Sequence, residues 1–346
     1  MTEFSFQRIP APLLSWYRAN KRDLPWRENP TPYRVWVSEI MLQQTRVEAV
    51  KEYFARFMAE LPDVFALASC EEEKLLKLWE GLGYYSRARN LQKAAKVLVN
   101  FYGGEFPRDL RALMDLPGIG SYTAGAIASI AFGMPTPAVD GNVFRVMARL
   151  EENSTCIADP KYRRYLEEKL SKIYPSSGED CSAFTQSLFE LGALVCKPQN
   201  PDCAQCPLRD ICRSNANGTQ SLFPVMPEKK AKRQERVAVF LIETPEGFCI
   251  RRREAGVLRG MNELPSEVLQ EEDTPEKVLN EWGMYAFTEV SRKKYAHIFT
   301  HIRWDITCVW VRADSAPFDA YTMDEIEESI SLPTAFKQCL GILKEV

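Results

Sequence analysis

The sequence lacks any apolar run that approaches the roughly 20 residues needed to cross a bilayer as a helix. Its first residues, MTEFSFQRIPAP, also lack the basic stretch and apolar core of a secretory signal peptide. Both absences argue against a membrane-bound or secreted protein. We therefore expect a cytoplasmic protein and no membrane partner.

An excess of positive charge is also missing, since the formal net charge is −3. Taken alone, this is weak evidence against a nucleic-acid partner. The acidity lies mainly in the last third, however, where residues 237–346 hold 12 Lys and Arg against 19 Asp and Glu. The first two thirds are close to neutral and can still present one basic face.

The ten cysteines do not suit a disulfide scaffold, which is typical of short secreted chains and not of 346 residues. Six are scattered and fit small buried side chains, namely Cys70, Cys156, Cys181, Cys249, Cys308 and Cys339. The other four form a C-x6-C-x2-C-x5-C motif of Cys196, Cys203, Cys206 and Cys212. Four thiolates on one proline-rich loop can surround a metal centre. The spacing favours a four-iron cluster but leaves zinc open, although zinc usually takes two C-x2-C pairs.

Strand-like alternation is nearly absent from the first two thirds, where apolar residues recur at helical spacing, as in VWVSEIMLQQTRVEAVKEYFARFMAEL. We predict an all-α domain over residues 1–220. A basic stretch rich in Ser, Asn, Gly and Pro predicts a linker over 221–236. Alternating runs such as VAVFLIE and FCIRRR, with the helical TPEKVLNEW, then predict an α+β domain over 237–346. The predicted fold is therefore multidomain.

The stretch LPGIGSYTAGAIAS places two glycines between a helical run and a second helix. Gly118 and Gly120 allow the backbone to turn and approach a ligand, and the free N–H groups of the second helix attract an anion. This pattern predicts a helix-hairpin-helix that binds a DNA phosphate, although an ordinary glycine-capped turn fits as well. No G-K-[ST] follows, so the turn is not a P-loop.

Two carboxylates stand in apolar surroundings. Glu39 lies in VWVSEIMLQQT, and Asp140 lies in PAVDGNVFRV, where a new helix begins. Each has an ordinary alternative, which is a surface position for Glu39 and a plain N-cap for Asp140. Sequence spacing does not show that the two side chains meet.

The hairpin, the V-D-G-N that follows it and the cysteine motif together resemble the helix-hairpin-helix DNA glycosylase superfamily. Within it, WVSEIMLQQTRV, EGLGYYSRARNL, PAVDGNVFRV and ELGALVC resemble the adenine DNA glycosylases of the MutY type. The resemblance is dense from about Leu24 to Cys212 and thinner in the tail. It implies a [4Fe-4S] cluster on the four cysteines. It also implies that the partner is double-stranded DNA with adenine opposite 8-oxoguanine or guanine, and we expect a monomer.

The resemblance assigns a role to each residue of the site. The family's general acid matches Glu39, and its apolar surroundings should raise its pKa so that a proton remains available near neutrality. Asp140 would stabilise the positive charge that develops on the sugar as the bond to the base breaks. Asn142 matches a residue that supports this site, while Arg27 and Gln186 match positions lining the adenine pocket.

Three residues match positions that fill the stack vacated by a flipped base, namely Gln44, Leu82 and Tyr84. Tyr122 occupies the hairpin position where strand-cutting relatives carry a lysine that forms a Schiff base. A phenol has no amine, so the resemblance implies a monofunctional enzyme with weak or no lyase activity. The alternatives are a bifunctional glycosylase, which needs that lysine, and a damage-binding protein without catalysis, which predicts missing carboxylates.

The tail resembles the MutT-like domain with which this family recognises 8-oxoguanine. The hydrolase signature G-x5-E-x7-R-E-x-x-E-E is absent from residues 237–346, so we predict no pyrophosphatase activity. In HIFTHIRWDI, Phe299, Thr300 and His301 match the family's F-S-H recognition loop, with threonine in place of serine. Threonine keeps the hydroxyl and adds a methyl group, so discrimination of the lesion should survive with altered strength. A plain strand residue is the alternative.

Overall fold

The computed structural model of the chain describes residues 4–228 and 231–345. Residues 229 and 230 of the predicted linker, and the terminal residues 1–3 and 346, lie outside the described residues. By internal packing the chain separates into two compact units. The first comprises Met1–Ser69 and Asn90–Glu228, and the second comprises Cys70–Arg89 and Lys229–Val346.

Residues 4–228 form helices and turns, and none of them lies in a strand, in agreement with the all-α prediction. The helices are α1 Pro10–Asn20, α2 Pro25–Glu28, α3 Pro32–Leu42, α4 Val47–Glu60, α5 Val64–Ser69, α6 Glu72–Leu78, α7 Ser86–Tyr102, α8 Leu110–Met114, α9 Ser121–Ala126, α10 Gly141–Glu151, α11 Pro160–Ser171, α12 Gly178–Leu194 and α13 Arg213–Asn217. Within the described part of the chain, no helix has both the length and the apolar character that a membrane crossing requires.

Polar caps determine where the helices that carry the site begin. Thr31 precedes Pro32 of α3, and its hydroxyl accepts the N–H of Arg34 at 3.3 Å. Asp109 and Asp140 cap α8 and α10 in the same way, each accepting a backbone N–H at 2.8 Å. Because these oxygens satisfy donors that the first helical turn leaves open, they fix the start of each helix.

Helices α1, α10 and α12 pack together around an apolar core in the first unit. Nearly every residue of α10 is buried, including Phe144 and Met147, and α12 contributes Phe184 and Leu188. Burying each large apolar side chain stabilises the fold by about 1.5–3 kcal/mol. The turn that precedes α10, which carries Asp140, is therefore attached to a rigid part of the molecule.

Helix α8, a tight turn and α9 form the predicted helix-hairpin-helix. Gly118 has φ +78°, and a Cβ added there would lie 2.7 Å from Asn90 Cβ. Gly120 is the N-cap of α9, with open space where a side chain would stand. After α9 the chain widens into a π-helical turn, Ile127–Ala131. The hairpin thus requires glycine at 118 and leaves room for a ligand at Gly120.

The second unit is built on a mixed sheet. Its described strands are β1 Arg233–Thr244, β2 Gly247–Arg252, β3 Asn262–Glu263, β4 Ser266–Leu269, β5 Thr288–Ile298, β6 Ile302–Arg312 and β7 Asp319–Tyr321. Their order is β3-β2-β1-β6-β5, with β4 paired to β1 and β7 paired to β2. Strands β1 and β6 are parallel, and the other pairs are antiparallel. Helices α14 Pro275–Glu281, α15 Met323–Glu328 and α16 Thr334–Leu340 complete the predicted α+β arrangement.

The apolar run of β1 is continuous because this strand is buried on both faces of the sheet. Val239 and Leu241 belong to the cluster that includes Phe336 of α16, whereas Phe240 and Ile242 belong to the cluster that includes α14 residues. Alternate side chains therefore enter a core on each face of the sheet. The strand begins at Arg233, inside the predicted linker, because its first four residues pair in parallel with residues 302–305 of β6.

Residues 70–89, called the inserted segment below, contain α6 and the first turn of α7. In the sequence they stand between helices of the first unit, but they pack with the second unit. Nothing in the helical pattern EEEKLLKLWEGL indicates this grouping.

Candidate active site

Glu39 lies buried on α3, with 5% of its surface exposed. The Tyr122 hydroxyl on α9 donates a hydrogen bond to Glu39 Oε2. Burial raises the pKa of Glu39 to about 7, against the lowering effect of the Tyr122 hydrogen bond. The charge of Asp140 also raises this pKa, and the Arg27 guanidinium lowers it. Glu39 therefore keeps its proton up to neutral pH, the state that a general acid needs.

Tyr122 closes one side of this carboxyl group. Burial raises the pKa of its phenol well above the usual value, and the charges of Glu39 and Asp140 add to the rise. The phenol is therefore a permanent donor to Glu39. Its ring lies 5.8 Å from that of Phe189, measured between centroids. No amine is present at this hairpin position.

Asp140 is an N-cap and also faces the site, so the two interpretations of this residue are compatible. Its Oδ1 accepts the Val143 N–H at 2.8 Å, and its Oδ2 accepts the Asn142 amide at 2.8 Å. Burial raises the pKa of Asp140, although the hydrogen bonds from Val143 and Asn142 oppose that rise. The charge of Asp140 raises the pKa of Glu39, so the two carboxyl groups interact electrostatically.

Asn142 connects this turn to the cysteine loop. Its Oδ1 accepts a hydrogen bond from Arg145 Nη2 at 2.8 Å, and the same guanidinium donates to the carbonyl oxygens of Cys196 and Gly192 at 2.8 and 2.9 Å. Arg145 is 9% exposed. Asp140, Asn142 and the first cysteine of the motif therefore belong to one hydrogen-bonded network.

Gly192 of α12 allows this network to form, because a Cβ at that position would lie 2.5 Å from Asn142 Cβ. We expect Gly192→Ala to displace Asn142 and Asp140 and to slow the reaction by about 10²-fold, as small misplacements of catalytic groups do. Single-turnover kinetics of the proposed adenine excision would measure this. Gly141→Ala is the matched control, since a Cβ there meets no atom within 4 Å. Equal rates for Gly192→Ala and the parent would contradict the role assigned to the close contact.

Arg27 is held beside the site by a residue that the sequence analysis missed. Glu190 is completely buried and accepts hydrogen bonds from Arg27 Nη2 at 2.8 Å and Arg22 Nε at 2.8 Å. Burial raises the pKa of Glu190, but the hydrogen bonds from Arg22 and Arg27 outweigh this effect and lower the pKa to about 2. The one available signal was a charged residue inside the apolar run FELGALVC. Gln186, one turn earlier on α12, donates to Ser182 Oγ at 3.2 Å.

The predicted stack-filling residues fall into different units. Gln44 follows α3 in the first unit, with φ +61°, while Leu82 and Tyr84 belong to the inserted segment. Leu82 is buried, whereas Tyr84 is 47% exposed and has φ +47°. A left-handed backbone is uncommon for non-glycine residues and is frequent at functional turns.

Tyr84 contacts the predicted lesion-recognition loop. Its hydroxyl lies 2.9 Å from Thr300 Oγ1, in the turn between β5 and β6. Phe299 packs on Trp304, with centroids 4.8 Å apart, and its carbonyl oxygen accepts Lys232 Nζ at 2.7 Å. His301 is exposed, and its carbonyl oxygen accepts the Arg233 N–H at 3.0 Å. The structure thus brings Tyr84 and Thr300 together within the second unit.

The four motif cysteines line one cavity on the loop after α12. Burial raises the pKa of Cys206 to about 12, and charge on the other three cysteines contributes to the rise. Arg149, which is 3% exposed, donates to Cys196 Sγ at 3.4 Å and to loop carbonyls. Four crowded thiols of this kind need a cationic centre before they can ionise together. The donor set therefore fits an iron–sulfur cluster.

The chain is similar in sequence to known adenine DNA glycosylases. An adenine DNA glycosylase of Arabidopsis thaliana is 38% identical over 87% of this chain and 56% of its own length. That of Mus musculus is 34% identical over 88% of this chain and 70% of its own length. The chain belongs to the adenine DNA glycosylase family. It spans little more than half of the length of the plant relative.

Three family models match successive parts of the chain. The HhH-GPD superfamily base excision DNA repair protein model matches residues 37–173, the iron-sulfur binding domain of endonuclease III matches 196–212, and the NUDIX domain matches 238–341. A solved non-covalent endonuclease III–DNA complex covers 62% of this chain and 99% of its own, with 29% identity and a TM-score of 0.52. The four cysteines of this family member therefore hold a [4Fe-4S] cluster rather than zinc.

Arg145 and Arg149 connect the cysteine loop to the core, so we predict that the role of the cluster is structural. We expect Cys203→Ser to lower the unfolding midpoint by about 10 °C, because a loss of several kcal/mol shifts it by roughly 2–4 °C per kcal/mol. Two measurements would test this: the thermal unfolding midpoint, and the visible absorbance of the iron–sulfur cluster at about 400 nm. Cys156→Ser, outside the motif, is the control. Normal stability without the absorbance would contradict a structural role.

Proposed function

We propose that this protein is a monofunctional DNA glycosylase that flips and excises adenine mispaired with 8-oxoguanine or guanine in duplex DNA, and so starts base excision repair. One observation carries the proposal. A buried carboxyl group with its pKa raised to about 7 is held by a phenol beside a second carboxylate. A buried acid that keeps its proton, together with a second carboxylate, is the arrangement that acid-assisted cleavage requires.

In the proposed reaction, Glu39 donates its proton to the adenine ring, which then becomes a good leaving group. The bond between the base and the sugar breaks, and the sugar acquires oxocarbenium character. Anionic Asp140, oriented by Val143 N–H and Asn142, stabilises that charge. Glu39, now ionised, accepts a proton from the attacking water. The cluster supplies no step of this chemistry.

Recognition of adenine and of its partner base is proposed to use separate residues. Arg27, fixed by Glu190, lines the adenine pocket together with Gln186. The base has to leave the stack first, at a cost of roughly a few kcal/mol, and Gln44, Leu82 and Tyr84 would replace it. Phe299, Thr300 and His301 would contact the base opposite the adenine. Gly118 and Gly120 would bring the hairpin backbone to a DNA phosphate.

Three further properties are proposed, of which the first follows from Tyr122. A phenol cannot form the Schiff base that strand cleavage needs, so the strand should stay intact after base removal. We also infer a monomer that acts in the cytoplasm at the nucleoid. The solved endonuclease III–DNA complex, with its matching fold, supports duplex DNA as the partner.

The test uses the purified full chain and four duplexes containing 8-oxoguanine:A, G:A, T:A or 8-oxoguanine:C pairs. We expect release of free adenine from the first two only, and nicking only after alkali treatment. Borohydride should trap no covalent adduct. Nicking without alkali together with a trapped adduct would instead support a bifunctional glycosylase, and binding without adenine release would support a damage-binding protein.

A further inference from the structure

The carboxylate of Glu80, in the inserted segment, binds two groups near the end of the chain. Its Oε1 accepts the Leu332 backbone N–H at 2.8 Å, and its Oε2 accepts Lys337 Nζ at 2.7 Å. The Glu80 side chain is 11% exposed, and Leu332 is fully buried. A carboxylate that satisfies a buried backbone donor fixes the two segments more firmly than a surface ion pair does.

Lys77 strengthens the same connection one turn earlier. Its Nζ donates to the carbonyl oxygens of Ile326 and Ile330, at 3.2 and 3.0 Å, and lies 3.3 Å from Glu80 Oε2. The buried Ser331 hydroxyl donates to the Leu76 carbonyl oxygen at 3.1 Å. The end of α6 is thus joined to residues 326–337 by several hydrogen bonds.

The turn that carries Tyr84 begins immediately after Glu80 and is itself fixed. Trp79 Nε1 donates to the Gly83 carbonyl oxygen at 3.1 Å, and Arg87 Nη2 donates to the same oxygen at 3.1 Å. The Arg87 guanidinium lies over the rings of both Trp79 and Tyr84, 5.4 and 5.5 Å from their centroids. These contacts join Tyr84 to the segment that Glu80 holds.

Thr300, which contacts Tyr84, is also connected to Glu80 through packed side chains. Leu332 and Lys337 flank Phe336 of α16, whose ring lies 6.0 Å from that of Trp304. Trp304 packs against Phe299, the residue before Thr300. Glu80 is therefore linked by contacts to both partners. One series of contacts runs from Glu80 to Tyr84, and the other runs from Glu80 to Thr300.

We propose that Glu80 is a positioning residue that sets the Tyr84–Thr300 contact and so determines discrimination between 8-oxoguanine and guanine opposite the adenine. The inference rests on the proposed function, and it assigns specificity to a residue about 220 positions before the recognition loop. We assign Glu80 no part in bond cleavage, because both of its carboxylate oxygens are engaged by Leu332 N–H and Lys337 Nζ. Loss of the Glu80 carboxylate should therefore change the ratio of the excision rates on the two mispairs and leave the bond-cleavage step unchanged.

The experiment compares single-turnover adenine excision from 8-oxoguanine:A and G:A duplexes by the full chain. For Glu80→Ala we expect the ratio of the two rates to fall about tenfold, the size expected when a buried donor loses its acceptor. The G:A rate and its pH profile should remain those of the parent. Glu80→Leu, which keeps the side-chain volume, serves if the alanine variant does not fold. Glu80→Gln keeps an acceptor for Leu332, so its ratio should fall less.

Glu327→Ala, an exposed glutamate of α15, is the control and should leave the ratio unchanged. If Glu80→Ala or Glu80→Leu keeps the parental ratio, the positioning role is wrong. A parallel loss of both rates with a lower unfolding midpoint would also overturn it, since that indicates a structural role only. If the parent protein itself excises no adenine, the proposed function fails. If the parent excises adenine equally fast from both duplexes, the proposed function stands but the discrimination assigned to Glu80 is wrong, and the parent assay reveals either result before any variant is compared.

Discussion

Glu39→Gln should slow adenine excision by about 10²–10⁴-fold, the usual contribution of general acid catalysis. Glutamine has nearly the same shape and can still accept the Tyr122 hydroxyl, but it has no proton to give to the adenine ring. The loss should therefore appear in the single-turnover rate and not in DNA affinity. Tyr122→Phe is the matched control, because it removes the hydrogen bond and leaves the acid.

Glu39→Gln, which slows the reaction, should at the same time raise the thermal stability of the protein above neutral pH. The pKa of Glu39 in the folded protein, about 7, lies above its ordinary value of 4.5. The folded state therefore binds this proton more strongly, and the resulting stability is present below pH 4.5 and is lost as the pH rises through 7. Above pH 7 the parent must bury an ionised carboxylate, whereas the glutamine of the variant stays neutral. Glu39→Gln should thus unfold at a higher temperature than the parent at pH 8.

The size of that gain is on the order of 3 kcal/mol, since each unit of pKa shift corresponds to about 1.4 kcal/mol. Thermal unfolding of both proteins at pH 5.5 and pH 8 measures it. A variant that is slower but no more stable than the parent at pH 8 would show that folding does not raise the pKa of Glu39. A variant as fast as the parent would show that Glu39 is not the acid.

Asp140→Asn should slow excision by about 10²–10³-fold, comparable to the removal of one group that stabilises charge in a transition state. Asparagine caps helices as well as aspartate does, so the Val143 N–H keeps its acceptor and the fold should be retained. The negative charge is lost, and the Asn142 amide loses its acceptor, because the NH2 group that replaces Oδ2 cannot accept a hydrogen bond. The substitution thus separates the two roles of the residue.

A pH dependence accompanies this second prediction. Burial raises the pKa of Asp140, so the anion is lost earlier than usual as the pH falls. The rate of the parent should decline on the acid side for this reason, and Asp140→Asn should lose that acid limb. Unfolding midpoints within about 3 °C of the parent, roughly 1 kcal/mol for a protein of this size, would verify that the cap is intact. An unimpaired rate would remove Asp140 from the mechanism.

Residues whose role depends on local sequence were predictable. Asp140 caps α10 because it stands directly before a Gly-Asn pair and an apolar helix, and the four cysteines lie within one loop. The apolar neighbours of Glu39 predicted its burial. Gly118 and Gly120 marked the hairpin turn. For each of these, the physical cause operates over a few residues, and the chain pattern records it.

Residues whose role depends on distant contacts were not predictable. Glu190 meets Arg27 and Arg22 across 163 and 168 positions, and Glu80 meets Leu332 across 252. In the sequence each is one glutamate in a helical run. The inserted segment likewise shows an ordinary amphipathic pattern, and only packing assigns it to the second unit. The fold brings these partners together, and the spacing of residues along the chain does not show which distant residues meet.

The most direct test of the account is the pH–rate profile of adenine excision from an 8-oxoguanine:A duplex by the parent protein under single-turnover conditions. Because the reaction needs Glu39 protonated and its pKa is raised to about 7, the rate should fall as the pH rises through that value. The same limb should be missing from the residual rate of Glu39→Gln. A parental rate that stays level or increases from pH 6 to pH 9 would contradict the central claim that a buried, protonated Glu39 drives release of the base.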